Sequence, residues 1–259
     1  MDSSAAFWEN SKSPNPQPRE TFMSTVDEIM AELENKGNPQ RIKLFDNHGA
    51  PKGKMFGVSV ADMKVIAKTI RGRQELAHEL YETGNGDAMY LAGIVARGKK
   101  MSRDQINDWA HSSNWQMISE YTVAWVASES PFARELALEW IDSDLERVAS
   151  SGWSTYAGHV TVTADDDLDL PEVEGLLQRI EEQIDESPNR VIYTMNGFVI
   201  SVGSYVLPLL DQAQATAEKL GKVHVDMGGT ACKVPLASQY IEKMVKSGRA
   251  GKKRKAIRC

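Results

Sequence analysis

The chain is punctuated as a long series of helices. Ser24-x-x-Asp27 opens an amphipathic run that stops at Gly37, Pro39 suits the first turn of the next, and Ser59-x-x-Asp62 opens a third with Gly72 behind it. A side-chain oxygen at the start accepts from orphan backbone amides, and a glycine at the end supplies the left-handed residue that closes the run. The same grammar recurs over 74–83, 87–97, a run opened by Ser102-x-x-Gln105, then 116–127, 131–141, 145–160, 171–186, 189–202, 205–220 and 235–246. Only Val223, His224 and Val225 suggest a short extended piece, and no Val/Ile/Thr alternation marks a sheet. The expectation is an all-α fold. Short links between helices suit antiparallel pairs, and stacked pairs make an α-solenoid. A period of roughly 40–47 residues would match HEAT-type repeats, although no letter-for-letter repeat is present. A compact helical bundle is the rival packing of the same helices.

The expected organisation is a polar leader over 1–23, carrying Pro14, Pro16 and Pro18, a helical domain over 24–248, and a basic tail over 249–259. Residues 191–210 carry no charge, but Thr194, Asn196, Gly197, Ser201, Gly203, Ser204 and Pro208 interrupt the apolar character, so they read as buried helices of a soluble core. The two cysteines, Cys232 and Cys259, form no disulfide framework, and no secretory signal precedes the first helix. An intracellular, cytoplasmic protein is expected, nuclear if the source is eukaryotic.

Charge is unevenly placed. Residues 243–259 hold eight basic side chains and no acidic one; taking those eight from the net charge of −6 leaves −14 on residues 1–242. Such an end either meets phosphate or pairs with its own acidic body. Lys252, Lys253, Arg254 and Lys255 are the candidate phosphate contacts, a nuclear-targeting patch or a solvated end being the plainer readings.

Three further constellations stand out. In 56–68, a turn and capping box lead into a helix with Val60, Met63, Val65, Ile66 and Ile70 expected inside, and Lys64, Lys68 and Arg71 on one face. That stripe is either solvated or a phosphate-contacting ridge. In 114–125, Trp115, Ser119 and Thr122 share a helical face, with Trp125 near it and Trp109, Trp140 and Trp153 close in sequence. These rings are either core or an aromatic cleft for a base or a cation. In 225–235, the pair Gly228-Gly229 signals a tight turn with amides free for an anion. Cys232, Cys259, His224 and Asp226 lack zinc-site spacing, and Asp165-Asp-Asp167 with Asp169 lacks that of a calcium loop. No metal or cofactor is expected.

Phe56-Gly-Val-x-Val-x-Asp-Met-Lys-x-Ile-Ala-Lys resembles the signature helix of the HEAT-like-repeat DNA alkylation repair family, the bacterial alkylpurine DNA glycosylases. The likeness is closest to a subgroup with the strings at 119–127, 193–200, 226–235 and a Lys-Lys-Arg-Lys tail ending in Cys at 252–259. The resemblance implies an α-solenoid with a basic concave channel for duplex DNA, and metal-free excision of cationic N3- or N7-alkylated purines. Bond cleavage there builds oxocarbenium charge, which a carboxylate stabilises and aromatic faces assist. The family's parts are a Trp, an Asp four residues on, an Arg on a later helix and a second Trp. By that resemblance Trp115 matches the first Trp, Ser119 stands in place of the Asp, Ser150 in place of the Arg with Arg147 nearby, and Phe198 in place of the second Trp. A serine supplies no anion, so excision depends on whether the adjacent Glu120 substitutes. The implied function is DNA binding with glycosylase activity in doubt; a non-catalytic protein-interaction scaffold, favoured by the acidic body, is the alternative.

Overall fold

The computed structural model describes residues 25–258. The leader expected over 1–23, and Cys259, lie outside the described residues. Within them are thirteen α-helices and no strand: α1 (Val26–Asn35), α2 (Pro39–Asn47), α3 (Val60–Thr69), α4 (Gln74–Glu82), α5 (Gly86–Val95), α6 (Arg103–Ser112), α7 (Ala124–Ser128), α8 (Ala133–Ile141), α9 (Glu146–Val162), α10 (Leu170–Gln183), α11 (Asn189–Tyr205), α12 (Leu210–Leu220) and α13 (Ala237–Lys246). A π-helical turn, Ile118–Val123, runs directly into α7.

Caps read from the sequence do their work where the oxygen is local. Ser59 Oγ accepts from Asp62 N at 3.0 Å, and Ser102 and Gln105 close a reciprocal box. The first helix starts one residue later than expected, because Thr25 exchanges hydrogen bonds with Glu28. Val60 and Val65, expected inside, are exposed, while Met63, Ile66 and Ile70 are buried.

Packing follows a ladder. Helix α3 packs on α5, α5 on the π turn, the π turn and α7 on α9, α9 on α11, and α11 on α13. Outside this inner row, α4 covers α5, α8 covers α9, and α12 covers α11 and α10. Each helix meets its neighbours in order, which distinguishes an α-solenoid from a bundle around one axis. Helix α5 is apolar all round and almost wholly buried, as a helix enclosed on every side must be. Two apolar cores meet at α8 and α9.

Close approach fixes two glycines. A Cβ on Gly98 would lie 1.9 Å from the Val126 carbonyl oxygen. Gly57, at φ +79, sits in the left-handed region, and a Cβ there would lie 2.5 Å from the Asn38 carbonyl oxygen. The segment around Gly57 is pinned by the buried carboxylate of Asp87, which accepts from the amides of Phe56, Gly57 and Val58 at 2.6, 2.9 and 3.1 Å. The uncharged stretch 191–210 folds into α11 and, past a 112° bend, the helix after it. Among the described residues no single helix is long and apolar enough to cross a membrane.

Candidate nucleic-acid interface

The inner row leaves a cleft of about 400 Å³ between the π turn with α7, α9 and α11. Small side chains floor it at helical spacing: Ser154, Ala157, Gly158 and Thr161 on α9, and Gly197, Ser201 and Ser204 on α11. Tyr121, Trp125, Tyr193, Tyr205 and Tyr240 form its aromatic walls. Pro235 closes one side, and Arg254 and Ile257 line it from the basic end of the chain.

Among the described residues one acid lines this cleft, and it is paired with an arginine. Glu120 is buried and takes two hydrogen bonds from Arg190, at 2.7 Å from Nε and 2.5 Å from Nη2. The Arg190 guanidinium lies 4.4 Å over the Tyr193 ring. Burial pushes the Glu120 carboxyl above its ordinary value, with the Arg190 bonds and charge pulling against that. For Arg190, burial works against the charge, but the bonds and charge of Glu120 prevail and raise it. Burial likewise pushes the Tyr121 hydroxyl up, helped by the nearby Tyr193 and Glu120 charges.

The other residues expected at a reaction centre are elsewhere. Trp115 precedes the π turn at 7% exposure, donates from Nε1 to the His48 carbonyl at 2.9 Å, and packs against Phe45. Ser119, at 1% exposure, points its hydroxyl at the carbonyls of Trp115 and Gln116. Phe198 is fully buried, edge-on to Trp153 and Tyr156. Ser150 is fully buried and bonds the Arg147 carbonyl. Arg147 reaches the His111 carbonyl and does not line the cleft. Of the two readings of the aromatic rings, core and aromatic cleft, the placements of Trp115 and Phe198 favour the core, and Ser119 is buried with them. Trp115, Ser119 and Thr122 do share one face, Ser119 N bonding Trp115 O at α-helical spacing, but that face turns into the core and not toward the cleft. Trp109 stacks on Tyr81 at 3.9 Å and Trp140 bonds Asn107, so of the tryptophan cluster only Trp125 reaches the cleft. Lys64, Lys68 and Arg71 are exposed on and just after α3, which contributes nothing to the cleft.

The paired-glycine loop is a brace. Asn189 exchanges two hydrogen bonds with the Asp226 backbone, at 2.9 and 2.7 Å, and Asn196 donates to the Pro235 carbonyl. Gly228, at φ +65, abuts the Asn47 carbonyl at the end of α2, and its amide bonds the Asp226 side chain rather than standing free. Among the described residues no group of three His, Cys, Asp or Glu side chains is placed to hold a metal.

The basic end packs onto the solenoid. Gly251 N donates to Ser204 O and Arg254 N to Thr161 O, at 2.9 and 3.0 Å. Lys253 bonds the Val160 carbonyl and pairs with Asp165, both at 2.8 Å, so it is not a free phosphate contact. Lys252, Arg254 and Lys255 are exposed and form no ion pair among the described residues.

The profile of the DNA alkylation repair enzyme family matches residues 29–218. The chain belongs to that family. It is 38% identical over 226 residues to Lmo0209 of Listeria monocytogenes and 37% identical to Lin0241 of Listeria innocua, covering 85% of this chain and 97% of each relative. A solved structure, from a family of proteins related to the HEAT-like repeat DNA glycosylases with affinity for branched DNA structures, superposes with a TM-score of 0.83. That protein is 37% identical, and the match covers 91% of this chain and all of that one. The α-solenoid is thus the family's fold.

Within that fold, sequence reasoning missed Tyr121, Arg190, Tyr193 and Arg258. Tyr193 could have been found, since Gly197 and Ser201 follow it at i+4 and i+8 and leave space beside its ring. Arg190 had no such signal, because its partner is seventy residues away.

Proposed function

We propose that this chain is a DNA-binding member of the alkylation repair family that engages branched or unpaired DNA at the cleft without excising bases. The observation that carries the reading is the state of Glu120. A carboxylate that stabilises an oxocarbenium ion must face the sugar with its charge available. Here Glu120 is the only acid that lines the cleft among the described residues, both its oxygens are bound to Arg190, and Ser119 offers no charge. What remains at the cleft suits binding. Tyrosine faces accept stacked bases irrespective of sequence, Arg254 brings an unpaired cation to the cleft, and Lys252 and Lys255, its near neighbours in sequence, offer two more to phosphate outside it. A cleft of about 400 Å³ has room for a nucleotide or a splayed strand. The branched-DNA affinity of the 37% identical relative supports the same choice of ligand.

The test has two arms. Affinity for a four-way junction, a fork and a plain duplex of one sequence is measured across salt, and alkylated DNA is assayed for release of 7-methylguanine and 3-methyladenine. Tighter junction binding with no release is expected. Neutralising Lys252, Arg254 and Lys255 to Gln lowers the salt slope by about 2.7, at roughly 0.9 per phosphate contact. Robust base release overturns the non-catalytic reading. No salt-sensitive binding to any of the three DNAs overturns DNA binding and returns the protein to the scaffold reading.

A further inference from the structure

The path of residues 251–258 follows the C-terminal ends of the inner helices. An α-helix leaves its last carbonyls without intrahelical donors and carries partial negative charge there. Because the inner helices stack in register along the cleft, these ends fall in a row, and the basic segment supplies donors to each in turn. At the end of α11, Ser204 O accepts from Gly251 N. At the end of α9, Val160 O accepts from Lys253 Nζ and Thr161 O from Arg254 N. At the end of α5, which has no basic residue in its last turn, the carbonyls of Gly93, Ile94 and Ala96 all accept from Arg258 Nη1. Between these, Glu129 at the end of α7 pairs with Arg258 at 2.6 Å. The Arg258 side chain is 9% exposed. Ile257 beside it packs onto the first apolar core and against Gly158, where a Cβ would come within 2.9 Å of Ile257 Cδ1.

We propose that residues 251–258 form a strap latched by Arg258, and that this latch holds Lys252, Arg254 and Lys255 in the array on which nucleic-acid affinity depends. Arg258 is a positioning residue. Its guanidinium is buried and bonded to one carboxylate and three carbonyls, so it is spent on holding the chain and not on meeting a phosphate. Without it, the three exposed cations stay on the chain but must be ordered at each binding event, which costs affinity through lost chain entropy. The inference rests on the DNA-binding reading above.

The experiment uses the full chain. Native-state hydrogen exchange should show the amides of Gly251 and Arg254 protected like those of α9; free exchange in the unaltered protein overturns the strap. In Arg258→Met, those two amides lose protection, trypsin cuts within 252–255, and four-way junction affinity falls about tenfold or more with a shallower salt slope. Arg258→Lys, which still bonds carbonyls and pairs with Glu129, recovers part of both protection and affinity. A released strap with unchanged affinity and slope overturns the positioning role. Should Arg258→Met lose its helical circular dichroism, the comparison passes to Glu129→Gln, which weakens the latch and leaves its carbonyls filled; unchanged protection of Arg254 there overturns the latch. If the unaltered chain binds no DNA, the proposed function falls, and the exchange data alone decide the strap.

Discussion

Replacing Arg190 by Met tests how the Glu120 charge is held. The side chain of Glu120 is 2% exposed and that of Arg190 16%, so the substitution strands a carboxyl in a site that water scarcely reaches. Removing one partner from a buried pair costs about 3–5 kcal/mol. The stranded group has an escape, which is to take a proton. Holding a carboxyl of ordinary pKa about 4.3 protonated at pH 7 costs about 3.7 kcal/mol, at roughly 1.4 kcal/mol per pH unit. That ceiling sets the expected deficit at pH 7, equivalent to about 7–15 °C in Tm for a chain of this size. The pH dependence follows in sign. With Arg190 gone, burial raises the folded-state pKa of Glu120 further, the folded chain binds the proton more readily than the unfolded one, and stability is lost as pH rises from the ordinary carboxylate range toward 7. The deficit should therefore shrink to about 1 kcal/mol at pH 5. Urea unfolding at pH 5, 6 and 7 reads this directly, and Glu120→Gln/Arg190→Met should recover most of the loss by removing both charges. A pH 7 deficit under about 1 kcal/mol, or one that does not narrow at pH 5, refutes the claim that this charge is buried and paired.

Three other outcomes are expected. Ser119→Asp places a carboxylate against the carbonyls of Trp115 and Gln116, so it should destabilise the fold by about 2–4 kcal/mol without conferring release of 7-methylguanine; release at a measurable rate would mean that the position does face a sugar. Gly98→Ala drives a Cβ into the Val126 carbonyl and should cost about 1–3 kcal/mol in denaturant unfolding, an unchanged midpoint contradicting the close packing described. Burial holds His159 below the ordinary histidine value, with the Arg134 charge adding to it. The folded chain therefore refuses a proton that the unfolded chain accepts, and stability should fall as pH drops below about 6.5, by up to about 1.4 kcal/mol per pH unit, a slope that His159→Gln removes.

What the sequence disclosed and what it concealed differ by range of interaction. The caps at Ser59 and Ser102 were legible because donor and acceptor sit three residues apart. The periods of α4, α8 and α10 were legible for the same reason. The π turn was not, since Ile118–Val123 carries no residue that forbids an ordinary α-helix. Trp115, Ser119 and Thr122 keep the common face that their spacing gives, and no local signal says that this face turns inward. The aromatic pattern at 109–153 fitted a core and a cleft equally well, and only the packing of Tyr81, Phe45 and Asn107 against three of those rings decides for the core. Within the basic run, Lys253 and Arg258 look like Lys252 and Arg254. Their acceptors lie 93 and 162 residues away, beyond any local pattern.

An acidic body and a polyanionic ligand can coexist because the two charge effects act over different distances. The −14 on residues 1–242 is spread over the whole solenoid, and at physiological salt a charge is screened beyond about 8 Å. Lys252, Arg254 and Lys255 act at contact, where screening is least. Below about 0.01 M salt the screening length grows to about 30 Å, and repulsion from the body then reaches the ligand. The salt slope of junction binding should therefore be near 0.9 per contact close to physiological salt and flatten at the lowest salt, where repulsion offsets the counterion gain. A slope that stays constant or steepens down to 0.01 M would place the binding surface away from the acidic body, on a part of the chain other than this cleft.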